Sequence, residues 1–522
     1  MRPNSIEAAR LAEDDSGTVH WKAWGPYLSE RQWGTVREDY SRDGSAWDYF
    51  PHDHARSRAY RWGEDGLAGF SDHHQRLCLG LALWNGRDPI LKERLFGLTN
   101  SQGNHGEDVK EIYYYLDATP THSYLAMLYK YPQAEFPYQW LVDENGRRGA
   151  GVPEFDLLDT GLLNDDRYFD VTVEYAKADP HDFLMRITVE NRGPDDAEIH
   201  VLPHIWFRNT WSWGREPARP VLQTVTPTTV QASHPILGTY FMRFGDAPTV
   251  LVTDNETNSP KLFGASAPGQ YFKDAFHERV IHENLAAVNP EGRGTKAAAW
   301  YRATVPAGRS LTFRARLSKN TSVGSFADFD TLVDRRRNEA DEYYAKLQTG
   351  IDNVDERRIQ RQAFAGMIWS KQFYHIDIPQ WLEGDPAQPP PPRERLHGRN
   401  HDWVHLNNAD IISMPDKWEY PWYAAWDLAF HCIALSLIDA EFAKNQLILL
   451  AREWYMHPNG QLPAYEWAFG DVNPPVHALA AYRVFQIDRK QQGGKGDYAF
   501  LERVFQKMMI NFTWWVNRKD AQ

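Results

Sequence analysis

The chain has 522 residues, 42% of them apolar and 24% charged, the balance of a folded globular protein with room for more than one domain. Lys and Arg number 57 against 70 Asp and Glu, a net charge of -13 with no long basic run, which argues against nucleic acid and anionic membranes as partners. Two cysteines, Cys78 and Cys432, provide no disulfide framework and no thiolate metal cluster. The opening "MRPNSIEAARLAEDDSG" has no apolar signal core, and the expected location is cytoplasmic.

In chain order, the first three hundred residues read mainly as β structure. The stretch before residue 120 is irregular and rich in Gly, Asp and His, so it is expected to form long loops. "DFLMRITVENRGPDDAEIHVLPHIWF" carries two alternating runs around an Asn-Arg-Gly-Pro turn: Phe183, Met185, Ile187 and Val189, then Ile199, Val201, Pro203 and Ile205. "AAAWYRATVPAGRSLTFRARL" repeats the design around Pro306-Ala307-Gly308. Both predict hairpins of an antiparallel sandwich with one polar face.

The period changes near residue 325. "FADFDTLVDRRRNEADEYYAKLQ" predicts a linker helix, and four further helical patterns follow "DERRIQRQAFAGMIWSKQFY". A proline-rich insert, "LEGDPAQPPPPRERLHGRNHDWVHLNNADIISMP", forbids a helix between the first two of these. The expected organisation is a β-sandwich domain over 1–324, a linker helix over 325–350 and an all-α domain over 351–522.

Aromatic residues reach 14%, and their placement beside polar groups is the main functional signal. In "DKWEYPWYAAWDLAFHCIALSL", Asp427 falls in the first turn of a helix, flanked by Trp422, Tyr423 and Trp426. A carboxylate there complements the helix dipole, which is its plain structural reading. Burial among rings instead favours the proton-bearing form, and a general acid needs that outcome. "HPNGQLPAYEWAFGDVNPPVHALAAY" places Glu466, Asn473 and His477 near rings in a turn-rich loop, a density of hydrogen-bonding groups suited to a polyhydroxylated ligand. The insert adds Asp402 and Trp403 within "GRNHDWVHLNN". Its His and Asp spacing, like that of "PHDHARS" and "SDHHQ", fits no standard zinc pattern, so no metal and no organic cofactor is expected. "QGGKGD" lacks the spacing of a phosphate-binding loop.

"WGPYLSERQWGTVREDYS", "WDYFPHDHARSRAYRWGEDGLAGFSD", "DPILKERLFGLTNSQGNHGEDVKE" and, most specifically, "PWYAAWDLAFH" resemble bacterial members of glycoside hydrolase family 63, to which mannosylglycerate hydrolases are related. The resemblance implies a β-sandwich followed by an (α/α)6 toroid, an inverting α-glucosidase-type reaction on an oligosaccharide or small glycoside, and Asp427 as general acid. A twelve-helix barrel needs roughly 170–220 residues at ordinary helix and loop lengths. The toroid, and with it the general base, is therefore expected to extend past residue 522, leaving Glu466 as the alternative second carboxylate. The rival reading is a non-catalytic sugar-binding protein with a degenerate barrel.

Overall fold

The computed structural model describes residues 4–519 apart from 32–36, 40–45, 50, 100–101, 103–108, 149–150, 215–217, 268, 322–325, 387–388, 416, 418–422, 465–468 and 471. Among the described residues a large β region precedes a helical one, as the change of period predicts. Six strands form one sheet in the order Trp24–Gly25, Leu67–Asp72, Leu77–Trp84, Ala197–Phe207, Lys296–Val305, Thr249–Thr253. Nine form the other: Arg293–Gly294, Val221–Thr226, Thr229–His234, Gly238–Phe244, Ser310–Ser318, Asp182–Asn191, Tyr168–Asp179, Tyr124–Pro132, Tyr113–Ala118. Within these sheets the strand pairings are antiparallel. The two inner faces meet in one apolar core, where Phe70 stacks on Tyr175 at 4.9 Å and Tyr301 meets Phe313 at 5.0 Å.

The two expected hairpins are corrected. Phe183 to Val189 pair with Tyr168–Asp179 and with Ser310–Ser318, whereas Ile199 to Ile205 pair with Leu77–Trp84 and with Lys296–Val305. The Asn-Arg-Gly-Pro and Pro-Ala-Gly turns therefore carry the chain from one sheet to the other. A tight turn with alternation on both sides has the same local chemistry whether it closes a hairpin or crosses a sandwich, so sequence does not separate the two. The outer face of the six-stranded sheet is not polar either. Ala82, Leu202, Leu251, Ala298 and Trp300 are buried there under Phe276 and Val280 of the helix Ala275–Val280.

The stretch before residue 120 is also more regular than expected. Leu67–Asp72 and Leu77–Trp84 lie inside the six-stranded sheet and are buried on both faces, which removes the alternation that would have announced them. The helix Phe329–Leu347 is present and lies on the outer face of the nine-stranded sheet, where Phe329, Val333 and Ala340 cover Tyr124, Ala176 and Leu184.

Beyond it come the helices Val354–Trp369, Ala425–Leu435, Ala440–Leu450, His477–Gln491 and Tyr498–Trp514. The first is shorter than its pattern suggests. After Ser370 the chain turns into the strand Lys371–Asp377, which pairs with Asn407–Ser413 from the end of the insert. The insert itself is anchored on the N-terminal loops. Trp381 donates through Nε1 to the carbonyl of Arg37 (3.0 Å), Arg395 donates to the carbonyl of Asp39 (2.7 Å), and Arg61 pairs with Asp385. No helix among the described residues is long and apolar enough to cross a membrane.

Phe505, Met509, Phe512 and Val516, spaced four, three and four residues apart, form an exposed stripe along the last helix, with Phe505 65% and Phe512 61% accessible. Trp514, on the opposite side, is buried. Such a stripe is sticky. The double variant Phe505→Gln, Phe512→Gln is expected to lower the fluorescence of bound anilinonaphthalene sulfonate without lowering the melting temperature. Unchanged dye binding would show that the stripe is covered in solution.

Candidate active site

The helix Ala425–Leu435 begins without a side-chain cap, and the N–H of Ala425 donates instead to the carbonyl of Ala464 at 3.1 Å. This bond fixes the first helical turn beside the loop 457–476. Asp427 occupies that turn, half-buried, as its sequence position predicts. Trp426 precedes it, 39% accessible, with its ring 5.9 Å from that of Phe430.

The loop is held by its own turns. The N–H of Gly460 donates to the carbonyl of His457 (2.8 Å) and that of Gln461 to Oδ1 of Asn459 (2.8 Å), while the Gln461 amide reaches the carbonyl of Phe469 (2.7 Å). Gly460 has φ +96°, and a Cβ there would sit 2.6 Å from the carbonyl oxygen of Ile510, so the close approach of the last helix demands glycine. Asn511 closes the contact by donating to the carbonyl of Gly460 at 2.8 Å.

These three elements enclose a narrow cleft of about 30 Å³ lined by Trp426, Leu462, Asn473, Pro475, His477 and Trp515, among others. Trp426, Asn473 and His477, far apart in sequence, thus come together. His477 opens its helix and is buried; its Nε2 donates to the carbonyl of Leu447 at 2.8 Å. Among the described residues its Nδ1 has no partner. Burial pushes its pKa down to about 4, so the ring is neutral and Nδ1 is an acceptor at neutral pH. A depressed value means that the stabilising share of this group is complete above pH 6.5 and is lost as pH falls toward 4. Wild type should therefore lose about 2 kcal/mol more than His477→Gln between pH 7 and pH 5 in urea unfolding. Equal losses would place the titration elsewhere.

The other predicted residues take different positions. Tyr423 is fully buried, edge-on to Tyr374 (5.8 Å) and Tyr455 (5.2 Å), so it supports the helix start from within the core. Trp403 is likewise buried, edge-on to His457 (5.5 Å) and Phe469 (5.7 Å), and braces the loop from beneath. Asp402 is exposed and pairs with His401 at 3.1 Å. Trp422 and Glu466 lie outside the described residues. Sequence reasoning passed over Leu462, Asn511 and Trp515.

Two groups of side chains among the described residues are close enough to share a cation, and neither is in the stretches singled out for metal. Lys444 already sits inside one of them, 2.7 Å from Asp497 and 3.3 Å from Asp488. In the other, Nδ1 of His277 already accepts from the N–H of Leu91.

Among solved structures, a family GH92 α-mannosidase from Bacteroides thetaiotaomicron aligns at 12% identity and a TM-score of 0.28, covering 66% of this chain and 42% of its own. The GH92 family glycosyl hydrolase CcMan5 aligns at 12% identity and a TM-score of 0.25, covering 88% and 62%. Both scores are too low to place any residue. Uncharacterized protein YMR196W of Saccharomyces cerevisiae is 48% identical over 568 residues, covering 99% of this chain and 52% of its own length, so the chain spans about half of that relative. Residues 420–522, which include Asp427 and the whole 457–476 loop, match the family described as the mannosylglycerate hydrolase MGH1-like glycoside hydrolase domain.

Proposed function

We propose that the chain belongs to an inverting glycosidase of the α-glucosidase type, with Asp427 protonating the leaving oxygen. The observation that carries this reading is the match of residues 420–522 to a glycoside hydrolase domain, a span that includes the helix turn with Asp427 and the adjoining 457–476 loop. In an inverting reaction a carboxylic acid protonates the glycosidic oxygen while a second carboxylate, about 6.5–9.5 Å away, activates water on the opposite face of the ring. Trp426 offers a ring on which the apolar face of a pyranose stacks. Neutral His477 can accept a hydrogen bond from a hydroxyl at Nδ1, and Asn473 can both donate and accept. Tyr423 and Trp403 hold these groups in place from the core, and Trp422, Glu466 and Asp402 are assigned to hydroxyl or stacking contacts. In this reading the helices after residue 351 belong to an (α/α)6 toroid and the sandwich over 1–324 forms a separate domain.

The experiment is an assay of the protein against α-glucosides such as maltose and kojibiose and against α-mannosylglycerate. Release of glucose from an α-glucoside supports the proposal. Saturable binding of these sugars without any hydrolysis would favour the sugar-binding protein instead. Hydrolysis that survives Glu466→Gln assigns the water-activating carboxylate elsewhere, and hydrolysis that is lost with it assigns Glu466 as the base.

A further inference from the structure

A second concave site lies between the β region and Pro386 and Pro389 of the proline-rich insert. Trp211, Phe263 and Phe272, with Arg219, Asp254 and Glu256, line a cavity of about 730 Å³ that shares no lining residue with the cleft beside Trp426. Small-molecule pockets span about 300–1,000 Å³. We propose that this cavity is a binding site for a neutral oligosaccharide, with Trp211 as the stacking ring and the Asp254–Arg219–Glu256 array as the hydroxyl-recognising group.

The polar array is arranged in advance. Arg219 donates through Nη2 to Oδ1 of Asp254 at 2.7 Å and lies 3.8 Å from Oε1 of Glu256, with its guanidinium 5.3 Å from the centre of the Trp211 ring. Glu256 accepts from Nε1 of Trp211 (2.5 Å) through one oxygen and from the Asn209 amide (2.9 Å) through the other. Each carboxylate oxygen has two lone pairs, so these bonds orient Glu256 and still leave it able to accept from a ligand. The backing is stiff. Glu256 and Asp254 follow the sheet strand Thr249–Thr253, and the buried Asn255 between them donates to Oε1 of Glu64 (2.9 Å) and the carbonyl of Phe207 (3.0 Å). The carbonyl of Glu256 accepts from the N–H of Lys273 at 2.9 Å, which closes the wall that carries Phe272. Burial also raises the Glu256 carboxyl above its ordinary value, in keeping with a partly dry site.

The ligand class follows from this chemistry. Two carboxylates against one guanidinium disfavour phosphate and other anions. Hydroxyl groups of a sugar donate to the carboxylates and accept from Arg219 at once, and a pyranose adds a flat apolar face for the ring. A simple amine would use the carboxylates and leave the guanidinium and the ring idle.

The test titrates the Asp427→Asn protein, in which turnover is suppressed, with maltotriose and α-mannotriose by calorimetry, alongside spermidine and inorganic phosphate. Saturable binding of a trisaccharide, weakened at least tenfold by Trp211→Ala and by Glu256→Gln but not by Asn473→Ala, supports the site. Phe263→Ala serves as the substitute if Trp211→Ala fails to fold. No saturable trisaccharide binding, binding indifferent to Trp211 and Glu256, or saturation by spermidine or phosphate alone overturns it. The outcome is independent of the proposed hydrolysis. A protein that hydrolyses nothing but binds sugar through Trp211 refutes the glycosidase and keeps this site, and an active enzyme with no such binding does the reverse.

Discussion

Asp427→Asn is expected to lower turnover by about 10²–10⁴-fold on glycosides with poor leaving groups, the ordinary contribution of general acid catalysis. Asparagine keeps the size and hydrogen-bonding reach of the side chain but has no proton to transfer. Asp427 stands half-buried in the first turn of its helix. Glycosyl fluorides depart with little protonation and should lose much less activity. That inequality is the signature, because a residue that only oriented the sugar would depress both substrates alike. Steady-state kinetics on maltose-type disaccharides and on α-glucosyl fluoride measure it, and equal losses would remove Asp427 from the acid role.

The second large effect concerns the junction between the β and helical regions. Asp439 caps the helix Ala440–Leu450 by accepting from the N–H of Phe442 at 3.1 Å, and it is almost wholly buried. Its carboxylate lies 2.9 Å from Nζ of Lys22, in the N-terminal segment, and 3.8 Å from Nζ of Lys371, at the start of the small two-stranded sheet. Burial opposes ionisation of Asp439, but the two ammonium groups more than offset it and hold its carboxyl below the usual range. Lys371 is itself pushed down to about 8 by burial. Removing the anion leaves the buried Lys371 without its ion pair, while Lys22 keeps Asp14 at 3.3 Å and Asp15 at 3.5 Å, so Asp439→Ala should destabilise by about 3 kcal/mol. Asp439→Asn keeps an oxygen for the cap, worth about 1 kcal/mol, and isolates the charge term. Chemical denaturation of both variants decides the matter. A loss below about 1 kcal/mol in Asp439→Ala would show that water reaches Lys371.

How much of this was legible in the sequence varies by element. The order of a β region followed by helices was legible because the period of apolar residues changes near 325, and the helix Phe329–Leu347 falls inside the predicted span. Leu67–Asp72 and Leu77–Trp84 were not, since strands buried on both faces do not alternate. Partner strands were illegible for a different reason. Val189 and Ile199 alternate equally well in a hairpin or across two sheets, and only long-range packing decides. At the candidate site, the helix start at Ala425 and the turn-rich loop were both readable. Their contact was not, because it rests on backbone bonds such as Ala425 to Ala464 and on the glycine at 460 that admits Ile510. Tyr423 and Trp403 look in sequence like any other ring beside a carboxylate, and their burial among Tyr374, Tyr455 and Phe469 is a tertiary fact. The Trp211 cavity had no sequence signal at all. Its carboxylates and its guanidinium lie more than thirty residues apart, and only the end of the strand Thr249–Thr253 brings them together.

The central claim is an inverting glycosidase reaction, and proton NMR of the reaction as it proceeds tests it most directly. With an α-glucoside as substrate, the first anomeric signal to grow should be that of β-glucose, with the α-anomer following only at the rate of mutarotation. First appearance of α-glucose would mean retention of configuration, and no release of glucose at all would mean that no such hydrolysis takes place; either result would contradict the account.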